Sequence, residues 1–153
     1  MDDGRKELEK IAALLGEQST LALATTDEQG QACVTPLFYI AGEKLTLYWL
    51  SSESSLHSRN LKRAPMAAAT IYRHTENWKE IRGVQLRGPV TVIADPKHRR
   101  ATIEAYCRRF QLGVLPTAAI SQCKLYALQP VYFRYIDNSK VFGRKFEIAM
   151  ENE

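Results

Sequence analysis

Apolar positions along the chain change period several times, and each change marks an element. Residues 5–17 carry Leu8, Ile11, Ala12 and Leu15 at i, i+3, i+4 and i+7, with Lys6, Glu9 and Lys10 on the other side. That spacing predicts an amphipathic helix. From Thr20 to Thr26 the run is apolar and β-branched, and Asp27-Glu-Gln-Gly30 follows as a turn signal. Gln31–Ile40 and Lys44–Leu50 read as two more strands, joined by Ala41-Gly42-Glu43. Three strands at such short spacing form an antiparallel meander. A short helix is expected from Ser54 to Arg63, with Ser54 or Ser55 as its cap and Pro65 as its stop.

Met66–Tyr72 and the long run Ile81–Ala94 read as strands around a polar loop, His74–Lys79. Gly83, Gly88 and Pro89 imply a bulge, a bend or a close approach within the second of them. Asp95-Pro96 is a helix start, and Ile103, Tyr106, Cys107 and Phe110 give that helix one apolar face. Gln111–Gln122 reads as a looser connector. Lys124–Asp137 is strand-like with a break at Pro130, and the tail Lys140–Glu147 is short and basic before it turns acidic. At least six strands with two or three helices predict an α+β domain spanning 1–153. A closed or nearly closed antiparallel barrel accommodates them, with Gly83, Gly88, Pro89 and Pro130 as corner positions.

Composition narrows the chemistry. Hydrophobic residues make up 45% and charged residues 25%, the balance of a globular protein. No apolar run approaches the roughly 18 residues of a membrane span. The N-terminus lacks the apolar core of a signal peptide, so a cytoplasmic protein is expected. Cys33, Cys107 and Cys123 have no metal-ligand spacing and read as reduced apolar fillers. The net charge of +4 suits an anionic ligand. Nucleic acid is disfavoured, because the cations are dispersed and no helix-turn-helix or RNA-recognition signature is present. No Ser-His-Asp or Cys-His pattern points to a nucleophile.

The chemistry concentrates at Ser51, Ser52 and the helix that follows. A strand ends in hydroxyls, and a helix then starts with His57, Arg59, Lys62 and Arg63 and no acid after Glu53. Hydroxyls, helix N-terminal amides and cations are what a phosphate monoester needs. Lys62 and Arg63 read as surface charge. In the fifth strand Gln85 shares a face with Arg87, and a glutamine in an apolar strand needs a polar partner. Phe38 and Tyr39 fall on opposite faces, so only one of them can face a given site.

The run Ser55-Leu-His-Ser-Arg-Asn-Leu61 with Ala64-Pro65 resembles the Ser-Arg-Lys-x-x-Asn-Leu helix of the FMN-binding split-barrel family, that of pyridoxamine-5'-phosphate oxidase-like proteins. His57 stands where that family usually has lysine. Ile81-Arg-Gly-Val-Gln-Leu-Arg-Gly88 together with Phe142-Gly-Arg-Lys145 is similar to a small bacterial branch of it. The resemblance covers residues from about 8 to 146. It implies a six-stranded antiparallel split β-barrel with flanking helices, and a homodimer with FMN at sites lined by both subunits. Pro36–Tyr39 and Trp49–Ser52, including Leu50, would lie along the flavin ring and ribityl chain, with Phe38 and Trp49 as walls. His57 and Arg59 would reach the phosphate, and Gln85 and Arg87 would serve the partner's flavin. The implied activity is an oxidoreductase on a small planar substrate. The alternative is a binding module for flavin, F420 or haem, with His57, His74 and His98 as candidate axial ligands.

Overall fold

The computed structural model describes residues 2–113 and 117–150. Helix α1 (Asp2–Glu17) is followed by β1 (Thr20–Thr26), β2 (Ala32–Phe38), the two-residue β3 (Ile40–Ala41) and β4 (Leu47–Ser52). Then come α2 (Leu56–Arg63), β5 (Met66–Tyr72), the eleven-residue β6 (Arg82–Val92) and α3 (Pro96–Arg109). The short α4 (Thr117–Ser121), β7 (Cys123–Leu128), β8 (Tyr132–Asp137) and β9 (Lys145–Ala149) complete the chain. The strands form one curled antiparallel sheet in the order β2-β1-β5-β6-β7-β4-β3, with β8 on β6 and β9 on β8.

The α+β class and the curled antiparallel sheet agree with the sequence reading, but the described residues form nine strands rather than six. Lys124–Asp137 divides at Pro130 into β7 and β8. The basic tail leads into β9, whose alternate residues are only half-buried, a weak hydrophobic signal. The expected connector holds α4, and residues 114–116 lie outside the described part. The strand expected from Lys44 starts at Leu47 instead. Lys44 and Leu45 both take positive φ (51° and 59°), which no strand accommodates. Gln129 holds this turn, donating to the Lys44 carbonyl (3.3 Å) and accepting from the Thr46 hydroxyl (2.6 Å).

Strand β6 sets the curl. Its residues 82–87 pair with β8, and Val90–Val92 pair with β7. Gly88 lies at the changeover, where a Cβ would fall 1.9 Å from the Gln129 carbonyl oxygen. Only glycine lets the two backbones pass this closely.

Alternation places Leu21, Leu23, Ala69, Ile71, Val84 and Leu86 inside the curl. Helix α1 covers the open side with Ile11, Leu14 and Leu15, each under 5% exposed. Ala12 is exposed and Leu8 half-buried, so the inward stripe is rotated from the expected one. Glu7 is drawn in beside it, and its carboxylate accepts from Lys10 Nζ at 2.7 Å. Tyr39 pins the helix by donating its buried hydroxyl to the Leu15 carbonyl at 2.7 Å. Among the described residues no helix is long and apolar enough to cross a membrane.

Candidate functional site

Helix α2 starts where β4 runs out. Ser55 is its N-cap and accepts from the Ser58 amide at 3.3 Å. The Ser55 hydroxyl also donates to the Ser52 carbonyl at 2.8 Å, which closes the strand end onto the helix. Buried Asn60 donates to Thr25 Oγ1 at 3.0 Å, fixing α2 to β1. Arg63 donates to the carbonyls of Thr26 and Asp27, both at 2.6 Å. These contacts make the helix N-terminus a positioned group.

Four side chains converge there. His57 Nε2 stands 2.6 Å from Ser51 Oγ and 3.1 Å from Ser55 Oγ, and Ser58 Oγ lies 2.8 Å from Ser55 Oγ. Ser51 is buried and His57 half-buried. Burial holds the His57 imidazole below the usual histidine range, which favours the neutral ring. Ser52 Oγ contacts Ser54 Oγ at 2.8 Å, and Arg59 donates to the Ser54 carbonyl at 2.8 Å. The structure therefore brings Ser51, Ser52, His57 and Arg59 together around one helix start.

Gln85 and Arg87 lie elsewhere, exposed on the outer face of the sheet. Two cross-strand rows run over that face. One is Val34, Ala24, Ala68, Arg87, Tyr132 and the other is Pro36, Ala22, Thr70, Gln85, Arg134. The alanines leave a shallow hollow of about 300 Å³ bordered by Val34, Gln85, Arg87 and Tyr132. Arg87 stacks over the Tyr132 ring at 4.3 Å. The alanine floor carried no sequence signal, because alanine fits either face of a strand.

The aromatic residues divide. Phe38 is 55% exposed, with its ring 4.9 Å from Phe110. Tyr39 and Trp49 are enclosed in the core, at 1% and 0% exposure, and offer no ring face to a ligand. Trp49 stacks on Tyr126 at 5.7 Å, and its buried indole N–H has no hydrogen-bond partner among the described residues. Leu50, on the opposite face of β4, is half-buried. His74 is exposed, and His98 packs edge-on against Tyr48 at 5.7 Å, so the three histidines do not converge. Sequence reasoning missed Asn60, Thr25 and Arg63 as the residues that place the helix.

The profile of the pyridoxamine 5'-phosphate oxidase family matches residues 8–135. A UPF0306 protein of Cronobacter sakazakii is 25% identical over 138 residues, covering 90% of this chain and 92% of its own. A conserved hypothetical protein from Mycobacterium tuberculosis superposes with a TM-score of 0.77 at 16% identity, over 92% of this chain and 91% of that one. HutZ, the haem storage protein from Vibrio cholerae, gives 0.64 at 21% identity, over 80% and 88%. A FAD-binding protein from Mesorhizobium loti gives 0.66 at 14% identity, over 82% and 90%. At these identities the solved structures share the fold with this chain, while the matched profile spans most of its length: the chain belongs to the pyridoxamine 5'-phosphate oxidase family.

Proposed function

We propose that the chain binds FMN as a homodimer and acts in the cytoplasm as an oxidoreductase on a small planar substrate. The observation that carries this reading is the Ser51–Ser55–His57–Ser58 cluster at the start of α2. It combines hydroxyls, a proton-accepting ring and helix N-terminal amides, with the Arg59 cation beside it, and this set suits a phosphate monoester. The shallow alanine-floored hollow on the outer sheet face has room for a planar ring or for side chains of a second copy's sheet. Gln85 and Arg87 border it as polar groups suited to the edge of the partner's flavin. When bound, the flavin supplies the hydride or electron transfer, and this chain's residues hold and orient it.

The test is FMN uptake by the purified chain, followed by absorbance and mass spectrometry. His57→Ala and Arg59→Ala should each weaken FMN binding about tenfold with an unchanged fold. A chain that takes up no FMN under any of these conditions rules the reading out.

The likeness to a haem storage protein favours a second reading, a binding module without turnover for haem, flavin or F420. Haem titration followed by the Soret band tests it. Loss of that band in one of His57→Ala, His74→Ala or His98→Ala would identify an axial ligand.

A further inference from the structure

On the side of α2 that faces β6 and β7 lies a hollow of about 660 Å³. One wall is basic: Arg59, Lys62 and Arg63 all line it. The other wall is apolar, with Val90 buried and Val92 46% exposed, over a floor formed by Tyr126. Tyr126 is itself stacked on the buried Trp49 ring.

The charge of the basic wall is not answered by acids. Arg59 and Arg63 are held by main-chain carbonyls, of Ser54 and of Thr26 and Asp27, which fix the guanidinium groups without neutralising them. Both bonds of Arg63 use Nη2, so the rest of its five donors stay available. The nearby Asp27 carboxylate accepts from the amides of Gln29 and Gln31 through Oδ1, and forms no ion pair with Arg63 among the described residues. Glu53, also on the rim, lies 3.9 Å from Lys124. Among the described residues no carboxylate pairs with Lys62. Cations in a last helical turn also suit the helix dipole. Arg63, however, donates to the end of β1 and the turn after it, so its reach is set by tertiary structure.

We propose that this hollow binds a small organic anion with an apolar body, a carboxylate or sulfonate seated on Lys62 and Arg63 and its hydrocarbon laid against Val90 and Val92. Its volume lies within the range of small-molecule pockets, which roughly span 300 to 1,000 Å³. Planar guanidinium groups with spare donors match a carboxylate in a bidentate manner. The proposal goes beyond FMN binding and does not depend on it, although the two sites share an edge at Ser58 and Arg59.

The probe is 1-anilinonaphthalene-8-sulfonate, titrated by fluorescence into FMN-free protein, with octanoate and octanol as competitors. The expected result is saturable binding displaced by octanoate, with octanol at least tenfold weaker as a competitor. Lys62→Glu should weaken octanoate about tenfold, and Val92→Trp should remove binding by filling the hollow. Both side chains reach the surface, and thermal midpoints check that the variants fold. Octanoate affinity within twofold of wild type in Val92→Trp, or equal competition by octanol, overturns the proposal. Displacement of the probe by FMN overturns it as a site separate from the cofactor's, and FMN binding that persists in Val92→Trp supports the separation.

Discussion

Ser51 Oγ and His57 Nε2 stand 2.6 Å apart, and the imidazole of that pair is held below the usual histidine range by burial. A group whose folded-state pKa is depressed binds a proton more readily when unfolded. Its contribution to stability is therefore complete above the ordinary histidine pKa and is lost as pH falls below about 6.5. The chain should be less stable at pH 5.5 than at pH 7.5, and His57→Gln should remove part of that difference. Urea unfolding at the two pH values measures it. If the wild-type and His57→Gln differences coincide, the imidazole is not the titrating group.

A bound phosphate dianion beside His57 would favour the imidazolium, the opposite of burial. FMN binding should then take up a proton, and affinity should fall as pH rises from 6 to 8. His57→Lys keeps its charge across that range. It should flatten the dependence and bind about tenfold tighter at pH 8. Titration of FMN at several pH values reads this directly, and a pH-independent wild type would place the phosphate away from His57.

Gly88 and Gln129 predict a separate backbone effect. Gly88→Ala puts a Cβ where the Gln129 carbonyl already stands, so β6 or the β7–β8 link must move. Overpacking of this kind costs about 1–3 kcal/mol, occasionally more. Gly16→Ala is the control, because nothing lies within 4 Å of its Cβ and it sits in α1. That exchange should be neutral or stabilising by about 0.5–1 kcal/mol. Denaturant midpoints compare the two.

Gly88 also shows what the chain makes legible. A glycine next to proline inside a strand signals a special backbone position whatever the partner is, and the Ser55 cap and the alternation of β1, β5 and β6 are equally local. The face of β4 is different. Leu47, Trp49 and Ser51 point inward while Tyr48, Leu50 and Ser52 do not, yet both sets carry aliphatic, aromatic and hydroxyl groups. Periodicity cannot choose between them, so Trp49 reads as a cofactor wall until β7 is seen to place Tyr126 against it. The basic wall of α2 shares this dependence, since Arg63 is given its place by carbonyls 36 and 37 residues away.

Asn60 is such a distant tie. Its amide donates to Thr25 Oγ1 in a buried setting. Thr25→Val removes the acceptor while keeping the shape, leaving the amide unpaired at a cost of about 1–3 kcal/mol. Because the same bond docks α2, the variant should also weaken FMN more than its stability loss explains. Comparison of Thr25→Val with Tyr39→Phe separates the two effects. The second loses a buried hydrogen bond at α1, about 1 kcal/mol, and should leave FMN affinity unchanged.

The outer sheet face gives the last prediction. Ala24 and Ala68 are directly opposed on neighbouring strands, and their side chains point away from the core. A charge there does not disturb packing inside the chain. It would be buried without a partner if a second copy covers the face, which costs several kcal/mol. Ala68→Glu should therefore turn a dimer into a monomer by light scattering while the far-ultraviolet circular dichroism stays the same. If FMN needs Gln85 and Arg87 from the partner, the monomer should also lose the cofactor. A variant that stays dimeric would place the dimer contact on another surface, and one that becomes monomeric yet holds FMN would confine the site to one chain.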